Sequence, residues 1–153
     1  MTAAADPYAG GMSDEPNPPW DKDRIALGIR QPWAELILRG RKTLEIRSRP
    51  TEVRGPIYLY AGKTLSDVPE AKETCLEEGF GIESPPRGKL VGSVSIVGCR
   101  RTRPEDAEAA CVPGRLLEDH YAWELADPVR LPEPARPRFL PYGVWFYPFK
   151  RRG

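Results

Sequence analysis

The 153-residue chain has a single histidine, His120, and three cysteines, Cys75, Cys99 and Cys111. The cysteines are widely spaced and form no C-x-x-C pair, so neither a zinc site nor a disulfide framework can be assembled in the usual way. Reduced thiols and no structural metal are the expectation. No apolar run reaches the about 18 residues that a membrane-crossing helix needs. The N-terminus also lacks a charged segment followed by an apolar one, as a secretory leader would have. These absences point to a soluble, cytoplasmic protein. Formal net charge is only +1, so no global field draws the molecule onto nucleic acid.

Local charge is another matter. Residues 39–54 carry six basic side chains against Glu45 and Glu52, residues 87–103 carry five against none, and residues 130–152 carry six against Glu133. Residues 67–83 hold six acids against Lys72, and residues 104–127 hold seven against Arg115. One basic and one acidic face fit this segregation, although short charged runs also decorate ordinary solvated surfaces.

The length suits one domain with a genuine core. Residues 1–22 offer little to bury and read as an unstructured tail, residues 23–149 as the domain, and residues 150–153 as a basic C-terminal tail. Within the domain, Ile25–Ile29, Gly55–Ala61, Lys89–Val97, Tyr121–Leu125 and Gly143–Tyr147 read as strands. Ser66 or Asp67 can cap a helix carrying Val68, Ala71, Cys75 and Leu76 that ends near Gly79, and Pro104–Ala110 suits a short acidic helix. The proline-studded segment Pro128–Pro141 reads as extended linker. Five or six short strands with two or three helices and eighteen prolines fit an α+β fold built on a small β-barrel better than alternating βαβ units.

The most informative stretch is Arg30–Arg47. Pro32 sets φ for a helix over about Gln31–Arg39, Trp33, Leu36 and Ile37 fall at helical spacing, and Gly40 stands where a left-handed C-cap is wanted. Beyond Gly40 the period changes to 2, which puts Thr43, Glu45 and Arg47 on one side of a strand and Leu44 and Ile46 on the other. Lys42 lies at the junction, where irregular backbone can swing its amine toward the same opening.

These residues carry a resemblance. Gly40-Arg-Lys-Thr-Leu-Glu-Ile-Arg47 resembles the G-x-K-x-x-E-x-R signature of the ASCH domain, a relative of the PUA-like RNA-binding barrels, and Gln31-Pro32-Trp33-Ala34 is similar to the family as well. Tyr121–Pro128 and Tyr142–Phe146 resemble its closing strands, so the likeness spans about residues 25–147. The resemblance implies a PUA-like barrel acting on RNA or its components. Some members look like binding modules attached to transcription or translation factors, some small bacterial ones are amidohydrolases of acetylated cytidine nucleosides, and others have been proposed as ribonucleases. The amidohydrolase members place a threonine hydroxyl where this chain has Glu45, so their chemistry does not carry over residue by residue.

An amine, a carboxylate and a guanidinium together can grip phosphate and read the edge of a base. Lys42, Glu45 and Arg47 are therefore expected to line a ligand cleft together with Arg30, Gln31, Trp33 and the rim cation Lys63. Arg30 and Gln31 lie at the start of the helix, where free amides favour an anion. Lys42 reads first as a phosphate contact and second as a general base, with Glu45 as the other acid/base candidate. A plainer reading of Glu45 and Arg47 is a rim-fixing ion pair worth about 0 to 1 kcal/mol, and Trp33 suits core packing at its spacing. Lys63 follows Ala61-Gly62 without P-loop spacing, which excludes ATP binding by that motif. His120, next to Asp119, reads as a surface histidine. Three functions follow: binding of RNA or a nucleotide-like ligand, hydrolysis of a modified nucleoside or of RNA, and, last, a protein-interaction domain using the acidic helices. No cofactor is expected.

Overall fold

The computed structural model describes residues 20–151; the remainder of the expected N-terminal tail and the last two residues lie outside the described residues. Six strands, β1 (Ala26–Ile29), β2 (Leu44–Arg47), β3 (Gly55–Ala61), β4 (Lys89–Arg101), β5 (Tyr121–Ala135) and β6 (Trp145–Phe146), are interspersed with three α-helices, α1 (Trp33–Leu38), α2 (Ala71–Glu77) and α3 (Ala107–Ala110). They form one sheet in the order β2-β5-β4-β3-β1-β6, in which β1 and β3 are parallel and every other neighbouring pair is antiparallel. The sheet curls into a half-barrel, the expected α+β architecture.

The period of 2 explains why β3 is buried along almost its whole length. Ile57, Leu59 and Ala61 point to the main core with Leu27, Ile29, Ile37, Val94, Ile96 and Trp123, while Tyr58 and Tyr60 point to a second cluster with Ala26, Leu90 and Phe146. Trp20 and Phe149 close that second cluster, with their ring centroids 4.7 Å apart. Gly92 lets α1 and β5 approach β4: a Cβ there would overlap the Val129 carbonyl oxygen and Leu38 Cδ2.

Several boundaries differ from the sequence expectation. β5 continues through Pro128, Pro132 and Pro134 to Ala135, so the first half of the proline segment is strand and not linker. The reason is positional. β2 pairs with β5 only across Tyr121–Glu124, so beyond it one edge of β5 has no ladder for proline to disrupt. β4 runs on to Arg101, held in register by three shifts against β5. α2 begins at Ala71, because Ser66 Oγ instead accepts from the Val68 amide in a local turn. The last strand shrinks to Trp145–Phe146. No helix among the described residues is long and apolar enough to cross a membrane.

Candidate functional site

Helix α1 ends where Gly40 takes φ +77°, the left-handed conformation a C-cap requires. The turn is then pinned, since the amides of Arg41 and Lys42 both donate to Leu36 O at 3.0 Å and that of Thr43 donates to Ala109 O at 2.8 Å. This irregular junction carries the Lys42 side chain inward, where only 2% of it is exposed. Leu44 packs against Ala110 and Ala122, which turns Glu45 to the opposite side of β2.

The three signature side chains meet as a row. Lys42 Nζ donates to Ala110 O at 2.5 Å, lies 3.7 Å from Glu45 Oε1 and sits 5.2 Å from the centroid of the Trp33 ring. The second carboxylate oxygen of Glu45 accepts from Arg47 Nε at 2.7 Å, and Arg47 Nη2 donates to Gly28 O at 3.1 Å. The Arg47 guanidinium also lies 5.5 Å from the centroid of Trp123, which stacks on Trp145 with ring planes 14° apart. Burial pushes the Lys42 ammonium below its ordinary proton affinity and the Arg47 charge adds to this, while the Glu45 carboxylate opposes it.

Above this row lies a cavity of about 440 Å³, lined among others by Arg30, Trp33, Lys42, Glu45, Arg47 and His120. Its volume falls within the about 300–1,000 Å³ usual for small-molecule clefts. Ser66, Asp67, Val112 and Val144 also line it, none of which the sequence places at the cleft.

Two expected residues stand elsewhere. Gln31 is fully buried; its Oε1 accepts from the Glu35 amide and its Nε2 donates to Pro86 O, both at 2.9 Å. Its own amide side chain thus occupies the helix-start donor that was to meet an anion. Lys63 is exposed beside Gly88 and is not among the residues lining the cleft. Thr43, in phase with Glu45, is exposed and also outside the lining.

A second charged cluster escaped the sequence reading. Arg130 on β5 clasps Glu35 of α1 with two bonds of 2.9 Å, and Arg39 Nε adds a third at 2.7 Å. It anchors the helix that presents Trp33. Only the i, i+4 spacing of Glu35 and Arg39 was visible in sequence. No group of three or more His, Cys, Asp or Glu side chains among the described residues is placed to hold a metal ion.

Comparison with known proteins agrees with this architecture. The profile of the ASCH domain matches residues 27–135. Activating signal cointegrator 1 of Mus musculus is 40% identical over 80 residues, and the Homo sapiens protein of that name 36% over 80; each match takes in 48% of this chain and 14% of the relative. The chain thus corresponds to a small part of those proteins. Among solved structures, ASCH from Zymomonas mobilis superposes with a TM-score of 0.55 at 15% identity, covering 83% of this chain and 88% of that one. A point mutant of the same Zymomonas mobilis protein gives 0.54 at 14% identity, covering 81% and 88%. At that identity the likeness concerns the fold, and the match over residues 27–135 places the chain in a family: it belongs to the ASCH domain family.

Proposed function

We propose that this ASCH domain binds single-stranded RNA or a nucleotide-like ligand in the cleft above Lys42, Glu45 and Arg47. The observation that carries the reading is the convergence of a buried amine, a carboxylate and a guanidinium beside the Trp33 indole in one cavity of about 440 Å³. The groups divide by availability. Lys42 and Glu45 spend their polar atoms on each other, on Arg47 and on Ala110 O, and act as the floor. Arg47 Nη1 and the exposed Arg30 guanidinium have no protein partner among the described residues, which leaves them for phosphate. Trp33 is half-buried at the cleft wall, where an indole can stack on a base for about 1–3 kcal/mol.

A second reading, hydrolysis of a modified nucleoside or of RNA, draws on the lowered proton affinity of Lys42, which would act as base with Glu45 beside it. Binding ranks first because both groups already have protein partners. Titration of short single-stranded RNAs and modified nucleosides into wild type and Lys42→Ala separates the two. Salt-sensitive binding without product supports the first reading. Release of acetate or of cleaved RNA, lost in Lys42→Ala, supports the second, and no binding at low salt removes the first.

A further inference from the structure

His120 is the chain's only histidine, and its setting is more constrained than a surface residue needs. Its amide donates to Leu117 O at 3.1 Å, and its carbonyl accepts from the amide and hydroxyl of Thr102 at 3.1 and 3.2 Å. The preceding Asp119 takes φ +58°, a left-handed turn that aspartate tolerates better than most residues. Strand β5 begins at the next residue. Three hydrogen bonds and a sharp turn therefore fix the backbone at His120, and the residue is part of the cleft lining with Arg30, Trp33 and Arg47.

The ring is oriented as well. Nδ1 lies 2.6 Å from Glu118 O. A carbonyl oxygen only accepts, so Nδ1 carries the hydrogen in that contact, and the tautomer that fits it has its lone pair on Nε2. Nε2 has no protein partner among the described residues. The free polar groups of Arg30 and Arg47 are donors and the acceptors Glu45 and Asp67 that also line the cleft are carboxylates, so Nε2 adds an acceptor of a different kind, on an aromatic ring.

We propose that His120 is a specificity-determining residue of this cleft, accepting through Nε2 a hydrogen bond from an N–H donor on the base of the bound nucleotide. The inference rests on the nucleotide-binding reading above and adds to it a residue and a selection rule. A site built to receive a donor rejects the analogue that lacks it, because the acceptor is then left facing a methyl group.

The test has two arms. Two-dimensional ¹⁵N NMR of the imidazole needs no assignment, since there is one histidine; the proposal expects the Nδ1–H tautomer in the free protein, and the Nε2–H tautomer overturns it. In the second arm, AMP, CMP and UMP are titrated against analogues dimethylated at the exocyclic amine (adenine, cytosine) or methylated at N3 (uracil). For the tightest binder, wild type is expected to lose about five- to tenfold in affinity on methylation. His120→Ala is expected to bind both forms equally, and His120→Gln, which still offers an acceptor, to keep part of the preference. Circular dichroism confirms that both variants fold. Binding with no donor preference in wild type, or with the preference intact in His120→Ala, overturns the proposal and leaves the binding reading standing. No binding of any nucleotide or RNA overturns both.

Discussion

Arg47 Nη2 donates to the carbonyl oxygen of Gly28 at 3.1 Å, tying β2, at one end of the sheet order, to β1 near the other end. A side chain makes this join, with no backbone ladder between the two strands. The same guanidinium bonds Glu45, so the residue that lines the cleft also helps to hold its walls together. Removing it in Arg47→Ala is expected to cost about 1.5–3 kcal/mol, the range for hydrogen bonds to charged groups. Arg47→Lys keeps the charge without the two directed bonds and should recover only part of that. Urea denaturation of the three proteins reads both values, and a lysine variant as stable as wild type contradicts the bridging role.

Burial lowers the proton affinity of Lys42 in the folded protein. The unfolded chain therefore binds that proton at pH values where the native amine has begun to lose it. Stability should accordingly rise with pH between the native value and the ordinary value of 10.5. Lys42→Met keeps a linear side chain and removes the titration. The difference in unfolding free energy between wild type and Lys42→Met should shift in favour of wild type from pH 7 to pH 10; a difference constant with pH refutes the assignment.

For Glu35 the sign reverses. Burial raises its carboxyl, but the hydrogen bonds and charges of Arg130 and Arg39 outweigh burial and hold the carboxyl below its ordinary 4.5. The stability this contributes is fully present above pH 4.5 and is lost as pH falls through the native value. Melting temperature measured from pH 7 down to pH 3 should fall more steeply for wild type than for Glu35→Gln. Parallel slopes would show that the clasp between α1 and β5 does not depend on the charge.

Gly92→Ala places a methyl group against the Val129 carbonyl oxygen and Leu38. One of these neighbours is backbone, so the strain cannot be relieved by a rotamer change alone. A loss of about 1–3 kcal/mol is expected, as for other overpacked sites, and thermal denaturation measures it.

How much of this was legible in the chain depends on how local each signal is. The Gly40 stop and the alternation of Glu45 and Arg47 are set within one turn of helix or one strand, and the structure shows both; the inward swing of Lys42 starts at the same turn, but its amine is held by Ala110, 68 residues away. The rest required partners far along the chain. Arg130 is 95 residues from Glu35, and nothing near either residue announces the pair. The strand through Pro128, Pro132 and Pro134 was hidden because proline reads as a breaker until one knows that the pairing of β5 with β2 stops at Glu124 and leaves an open edge. Gln31 stands just before the helix, which starts at Trp33 and not at Gln31, and Pro86, 55 residues away, draws its side chain out of the cleft. His120 carries no motif, and only the fold sets it at the cleft wall.

The central claim is that the cleft takes nucleic acid through Arg30 and Arg47. Its most direct measurement is the salt dependence of short single-stranded RNA binding to wild type and to Arg30→Ala, a variant whose exposed side chain has no protein partner among the described residues to lose. Each phosphate neutralised contributes about −0.7 to the slope of log K against log salt on single strands. The account predicts weaker binding by Arg30→Ala at low salt, with the slope shallower by about 0.7. RNA binding of equal strength and slope in both proteins, or none in wild type at low salt, would contradict it.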